Sequence, residues 1–267
     1  MGSQAEHEGI DTTTASTARV YDYLLGGKDH YAIDREFAER LAERCPELNF
    51  NWEVRQNRGF MVRAIRHLAA NAGMRQFLDI GTGLPTQENA HQVAQAVAPD
   101  ARVVYVDNDP IVLAHARALL TSTPEGVTRY IDRDLRDPDA ILEDAAQVLD
   151  FSKPVVLSLI AVLHFVSDPE PVLERLRAAL APGSHLVISH GVHRPEFEPI
   201  AETYQRVMRL EDAALRPYAR IQAMFGGPDW EILDPGLVPV AVWRPDEPTL
   251  VDPASGVFIG GISRKVG

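Results

Sequence analysis

The chain has 267 residues, of which 45% are apolar and 24% charged, enough for one large globular domain, or one domain with an appendage, around a proper core. A net charge of −12, from 26 Lys and Arg against 38 Asp and Glu, repels a phosphate backbone on average and weighs against nucleic-acid partners. No apolar run reaches the ~18 residues of a membrane span. The first residues have neither the basic nor the apolar region of a secretion signal, and Cys45, alone in the sequence, can form neither an internal disulfide nor a multi-cysteine zinc site. A cytoplasmic protein is the expectation.

Residues 1–17 are polar without apolar period and read as a disordered tail. From Ala18 to Arg44 the apolar residues fall at helical spacing, with Val20, Tyr21, Leu24 and Leu25 followed by Phe37, Leu41 and Ala42. Gly26-Gly27-Lys28-Asp29 separates the two segments. A further helix is expected from about Asn57 to Asn71, closed by Gly73.

Beyond Gly73, short apolar runs alternate with helical stretches. The strands fall at Gln76–Ile80, Arg102–Val106, Thr128–Ile131, Pro154–Leu159 and His185–Ser189, and the helices at Thr86–Ala98, Pro110–Leu120, Asp139–Leu149 and Pro169–Leu180. Such alternation builds βαβ units, and runs such as VVYV and PVVLSL are apolar on both faces, as buried parallel strands must be. Residues 195–227 read as mostly helical and break the pattern. Val238–Trp243 and Val257–Ser263 then close the chain as antiparallel neighbours. The expected fold is α/β: a doubly wound, Rossmann-like, seven-stranded and mostly parallel sheet with a C-terminal antiparallel β-hairpin and an N-terminal helical lid. Its expected parts are a tail at 1–17, the lid at 18–56, and a ligand-binding domain at 57–267 that carries a helical insertion at 195–227.

A doubly wound sheet binds ligands beyond the carboxyl ends of its strands. The first strand runs straight into Asp79-Ile80-Gly81-Thr82-Gly83-Leu84-Pro85-Thr86, where Gly81 and Gly83 permit positive φ and close approach of a ligand. A dinucleotide fingerprint needs a third glycine where Thr86 stands, and the P-loop pattern does not occur, so neither a nicotinamide nucleotide nor ATP hydrolysis is indicated. The carboxylate two residues before Gly81 suits a cationic amino group rather than a pyrophosphate. A ligand with an amino acid at one end and a nucleoside at the other, such as S-adenosylmethionine, satisfies both. Asp107 closes the second strand, where a carboxylate takes ribose hydroxyls bidentately. Asp134 closes the third, placed to accept from an adenine amine while Leu135 packs on the ring.

With these residues in hand, the sequence resembles the class I S-adenosylmethionine-dependent methyltransferases, and within them the S-adenosyl methyltransferase family, formerly a domain of unknown function. The segments that carry the resemblance include ARVYDYLLGGKDHYAIDREFAERL (18–41), NRGFMVRAIRHL (57–68), QFLDIGTGLPTQENAHQVAQ (76–95), VVYVDNDPIVLAHARALL (103–120), VLHFVSDPEP (162–171) and DPGLVPVAVWRP (234–245). The resemblance implies that Asp79, Gly81, Thr82 and Gly83 meet the methionine part of the cofactor, Asp107 and Asn108 the ribose, and Asp134 and Leu135 the adenine. It also implies that Ser158, Leu159 and Ile160 turn backbone carbonyls toward the methionine amino group. Pro85 departs from the general class I pattern, which has a glycine there, and replaces an N–H contact by packing.

The acceptor must be read from the residues alone. Methyl transfer is an in-line displacement, so an enzyme mainly holds the nucleophile at ~3–3.5 Å in line and supplies a base where a proton must leave. His164, His190 and His193 follow the fourth and fifth strands and are the candidate bases, His164 and His190 foremost. No carboxylate–histidine spacing points to a metal. Tyr21, Tyr23, Lys28 and Tyr31 surround the two glycines of the preface, a mixture that suits a lid, and Lys28, Arg58 or Arg63 could meet the cofactor carboxylate. Tyr204, Met208, Tyr218, Met224 and Phe225 of the insertion could line an apolar acceptor pocket. The function expected is methyl transfer from S-adenosylmethionine to an oxygen or nitrogen of a small molecule. The alternative is a non-catalytic sensor of S-adenosylmethionine or S-adenosylhomocysteine, distinguished by whether an acceptor-sized space opens beside the cofactor.

Overall fold

A computed structural model of the chain describes residues 11–85, 88–119, 121–247 and 256–267. Three helices come first, α1 (Thr17–Leu25), α2 (Ala32–Arg44) and α3 (Phe50–Asn71). Strands and helices then alternate: β1 (Gln76–Ile80), α4 (Ala90–Val97), β2 (Arg102–Asp107), α5 (Pro110–Leu119), β3 (Val127–Asp132), α6 (Pro138–Ala145), β4 (Val156–Ile160), α7 (Glu170–Ala179) and β5 (His185–Gly191). The remainder holds α8 (Glu198–Val207), α9 (Tyr218–Ala223), β6 (Trp230–Ile232), β7 (Val238–Pro239) and β8 (Phe258–Lys265). The sheet runs β3-β2-β1-β4-β5-β8-β6, with β7 also paired to β8. Strands β1 to β5 are parallel, and β8 inserts antiparallel against β5.

The doubly wound architecture is as expected, and β1 has the bounds read from the sequence. The described residues give the sheet eight strands rather than seven, because Trp230–Ile232 pairs with Ser263–Lys265 at the outer edge. The expected strand Val238–Trp243 is only two residues long before the chain turns into a 3-10 helix at Val240–Val242. Pro239 lacks the N–H that would continue the ladder, and the turn drives Trp243 into the core, edge-on to Phe60 at 5.3 Å. Helix α3 begins at Phe50 rather than near Asn57, capped by the Asn49 side chain, which accepts from Trp52 N at 3.0 Å. Helix α4 begins at Ala90; Thr86, Gln87 and Leu120, given to helices in the sequence reading, lie outside the described residues.

Residues 1–10 of the expected tail also lie outside them. Residues 11–17 are tied down instead of free. Arg19 donates to the carbonyl of Asp11 at 2.9 Å and to that of Thr14, and forms a buried ion pair with Asp34 at 2.8 Å. Asp34 also accepts from Ser16 N and Tyr31 N, so one carboxylate fixes the entry to α1 and to α2. The preface thus has an inside of its own. Val20, Leu24, Phe37 and Leu41 join the core cluster that lies against the sheet strands, so these helices cover the carboxyl ends of the strands as packed structure.

Candidate active site

A cavity opens where the topology predicts, over the carboxyl ends of β1, β2, β3 and β4, with a volume of about 350 Å³. Its floor is the glycine turn. Gly81 has φ +74, and a Cβ there would stand 2.4 Å from Val162 Cγ2, so both the conformation and the contact demand glycine. Gly83, at φ +66 with open space beside it, needs glycine for conformation alone. Replacing Gly81 by alanine should lower unfolding stability by about 2 kcal/mol, from overpacking and left-handed strain together. An unchanged urea midpoint would mean that Val162 swings aside freely.

Three carboxylates converge on the cavity from three strand ends. Asp79 is 8% exposed, and burial raises its pKa to about 6, with the Ser158 hydroxyl and Arg58 pulling it back only in part. A buried carboxylate held this high lacks a full counter-charge, the state a ligand cation relieves. Asp107 is the hinge of the floor: its Oδ2 accepts from Gly83 N at 2.8 Å and its Oδ1 from Asp109 N at 3.0 Å. Burial raises its pKa as well. Those two bonds fix the carboxylate and leave lone pairs for hydroxyls. Asn108 donates to Asp134 Oδ2 at 2.9 Å, while Asp134 Oδ1 accepts from Arg136 N at 2.8 Å. The two strand ends are therefore cross-braced beside Leu135.

Of the residues that the sequence singled out, Asp79, Gly81, Thr82, Gly83, Asp107, Asn108, Asp134, Leu135 and Ile160 all line this cavity, together with Tyr21, Arg58, His164 and Tyr204. Others do not. Ser158 and Leu159 are buried in β4 behind the cavity wall, Ser158 in register with Asp79. Arg63 points to the far side of α3, where it donates to the carbonyls of Trp243 at 3.0 Å and Val240 at 2.6 Å; it braces the C-terminal turn and is no partner for a cofactor carboxylate. Lys28 is exposed on the loop outside. Tyr23 packs edge-on to His30, and Tyr31 lies under the Arg19 guanidinium, so both stabilise the preface rather than face a ligand. Tyr21 alone of the three tyrosines reaches inward, its hydroxyl donating to the carbonyl of Val54 at 3.1 Å and accepting from Asn57 at 3.0 Å.

The histidines separate as sharply. His190 is fully buried and spent: Nδ1 lies 2.8 Å from the carbonyl of Gly191 and Nε2 lies 3.0 Å from Arg216 Nη1. Burial pushes its pKa down to about 3. With both nitrogens engaged and no access to the cavity, it is withdrawn as a candidate base. His193 is exposed outside. His164 remains, on the 3-10 turn Leu163–Phe165 that follows β4, facing the cavity with its Nδ1 buried and without a hydrogen-bond partner. Burial, with His190 and Arg216 beside it, holds its pKa well below the usual range, so the imidazole is neutral at physiological pH. No cluster of metal-ligating side chains occurs among the described residues.

Two residues escaped the sequence reading. Ala161, which follows β4 into the cavity, has φ +53, a strained conformation for a non-glycine residue that turns the chain toward His164. Arg216 is 7% exposed. Its Nη1 donates to the carbonyl of Leu163 at 3.0 Å, and its Nη2 to those of Ser167 at 3.0 Å and Val166, so it clamps the turn that carries His164. Of the insertion residues proposed as lining, only Tyr204 lines the cavity; Met208, Met224 and Phe225 are core, and Tyr218 is exposed with its hydroxyl on Leu237.

A family model described as S-adenosyl methyltransferase matches residues 3–266. Among solved structures, a DUF574-family protein from Streptomyces avermitilis is 41% identical with a TM-score of 0.87, covering 96% of this chain and 99% of that one. A candidate methyltransferase from Thermobifida fusca is also 41% identical, with a TM-score of 0.88 and coverage of 97% and 98%. A carboxy-S-adenosyl-L-methionine synthase from Trichlorobacter lovleyi is 26% identical over 185 residues, 67% of this chain and 71% of that protein. The plantazolicin methyltransferase BpumL, solved with S-adenosylhomocysteine, shares the fold at 13% identity and a TM-score of 0.53, over 94% of this chain and 96% of that one.

Proposed function

The chain belongs to the S-adenosyl methyltransferase family, an S-adenosylmethionine-dependent methyltransferase, and from that premise we propose that it methylates an oxygen or nitrogen of a small molecule in the cytoplasm. The observation that carries the reading is the under-compensated carboxylate of Asp79 at the head of a cavity that Asp107 and Asp134 also line. Such a row of acids suits a ligand carrying an ammonium, a sulfonium, ribose hydroxyls and an adenine amine, one after another. Arg58, on the cavity wall of α3 near Asp79 and already donating to Asn89 Oδ1 at 3.1 Å, is the cation this reading assigns to the methionine carboxylate. S-adenosylmethionine supplies an electrophilic methyl on sulfur. The protein's part is to seat it, exclude water and present an acceptor.

The cavity does not end with the row of acids. It continues between α3, α8 and the first residue of β8, which favours catalysis over sensing, because a sensor needs no second chamber. The net charge and the roofed cavity favour a small acceptor over a nucleic acid. No helix among the described residues is long and apolar enough to cross a membrane, and a chain with one buried cysteine suits a reducing compartment.

Calorimetric titration with S-adenosylmethionine, S-adenosylhomocysteine and NADH tests the cofactor site, with micromolar binding of the first two alone expected. Asp107→Ala should then weaken S-adenosylhomocysteine by about 2 kcal/mol, through the loss of charge-assisted bonds to ribose and of the Gly83 tether. Equal affinity in wild type and variant would remove Asp107 from the site.

A further inference from the structure

Resting on the methyltransferase reading, we propose that the acceptor is an uncharged aromatic hydroxyl compound, methylated on its oxygen with His164 as the base. The cavity has two chemically distinct halves. All its charged lining residues lie on the strand ends, on α1 beside them, or at Arg58. The other half is walled by α8, the segment after it, the 3-10 turn and β8, and there no lining side chain among the described residues carries a fixed charge. Ile200, Tyr204, Leu210, Leu215, Phe165 and Phe258 make up most of that wall. All but Ile200 are only partly buried, large apolar side chains left open toward the cavity, which fits a ligand that covers them.

Ring geometry narrows the shape. Phe165 and Tyr204 stand edge to face at 5.3 Å, and His164 lies 4.3 Å from Phe165 and 6.2 Å from Phe258. A flat aromatic acceptor placed among these rings gains the offset and edge contacts that an aliphatic chain lacks. The polar groups among the described lining of that half are the Tyr204 hydroxyl and the His164 imidazole, whose Nδ1 has no hydrogen-bond partner. An imidazole with an unpartnered nitrogen on a largely apolar wall is the group that a ligand hydroxyl completes.

The character of that imidazole decides the functional group. An aliphatic amine enters as an ammonium, and no carboxylate among the described residues of this half holds it. A neutral imidazole with a depressed pKa cannot deprotonate it beforehand. A carboxylate acceptor finds no cation among the described residues there. A phenolic hydroxyl donates one hydrogen bond to the imidazole and brings no charge. As its oxygen forms the new O–C bond, the S–C bond breaks and its electron pair stays on sulfur. An oxygen being alkylated becomes strongly acidic, so even a weak base takes its proton. His164 then passes the proton to water readily, because burial, with His190 and Arg216 beside it, disfavours the imidazolium.

The test uses the full chain saturated with S-adenosylhomocysteine and three probes of one shape: 1-naphthol, 1-naphthylmethylamine and 1-naphthoate. By calorimetry, 1-naphthol should bind at least tenfold more tightly than either ion. With S-adenosylmethionine it should yield 1-methoxynaphthalene. His164→Gln, which keeps a hydrogen-bond acceptor but no base, should leave naphthol affinity within about threefold and lower turnover about 100-fold. Tighter or equal binding of the ammonium or the carboxylate overturns the proposal, as does failure of all three probes to bind while S-adenosylhomocysteine binds. Undiminished turnover in His164→Gln overturns the assignment of the base. If neither adenosyl ligand binds the folded chain, the cofactor site itself has been misassigned, a failure distinct from these.

Discussion

Asp79→Asn should abolish measurable cofactor binding and, at the same time, make the ligand-free protein more stable. The carboxylate is buried at the end of β1, and its pKa of about 6 lies above the ~3.9 of an unfolded chain. A raised carboxylate pKa is a destabilisation, fully present above pH 6, where the folded state must hold a poorly solvated charge. It is relieved as the pH falls from about 6 to about 4 and the folded protein takes up its proton first. An isosteric amide removes the penalty, so the variant should gain about 2–3 kcal/mol over wild type at pH 8, a difference that shrinks to nothing near pH 4. Binding runs the opposite way. A ligand ammonium beside Asp79 favours the ionised form, so wild-type affinity should be constant above pH 6 and fall about tenfold per unit below it. The amide lacks the charge and should lose at least ~3 kcal/mol of affinity. Thermal unfolding at pH 8 and pH 4, with calorimetry across the same range, checks both halves. Equal melting temperatures at pH 8, or a pH-independent affinity, would show that Asp79 is already compensated.

This trade-off explains how the site came to be legible. Strands β1 to β5 announced themselves because parallel strands buried on both faces are continuous apolar runs, and Asp79, Asp107 and Asp134 stood out because each ends such a run or closely follows it. Function there is written against the local pattern, a charge where packing alone would place none. Where the signal depends on the other end of the chain, the sequence is mute. Arg58 and Arg63 share α3 and differ by five positions, which at ~100° per residue sets them well apart around the helix. Only knowledge of which face the sheet covers tells that Arg58 looks into the cavity while Arg63 serves Trp243. His164 and His190 each follow an apolar strand run, and nothing nearby reveals that Arg216 consumes a nitrogen of one and leaves the other free. Val238–Trp243 reads as a strand by composition, and only Pro239 hinted that the ladder would stop.

Arg216→Met should be the most damaging substitution outside the cofactor site, for stability and turnover alike. Its guanidinium holds three carbonyls of the segment 163–167 and the Nε2 of His190, a buried cation hydrogen-bonded to neutral acceptors. Methionine fills similar volume but leaves the Val166 and Ser167 carbonyls and the imidazole nitrogen without that donor. At ~1–3 kcal/mol for each orphaned buried acceptor, offset by relief of a desolvated charge, the net loss should be about 3 kcal/mol. The turn carrying His164 also loses its clamp, and a displacement on the order of 1 Å there should lower kcat about 100-fold. S-adenosylhomocysteine affinity should hold, since Asp79 and Asp107 draw nothing from Arg216. Burial keeps the pKa values of His164 and His190 low and the Arg216 charge lowers them further, so removing that charge raises them. The acid limb of the activity profile should therefore move to higher pH, a change that loosened packing alone would not produce. Urea unfolding, turnover against pH and calorimetry on the folded variant separate the two effects. A reduced kcat with an unmoved acid limb would make Arg216 a purely structural residue, whereas a shifted limb would tie the clamp to the base it holds.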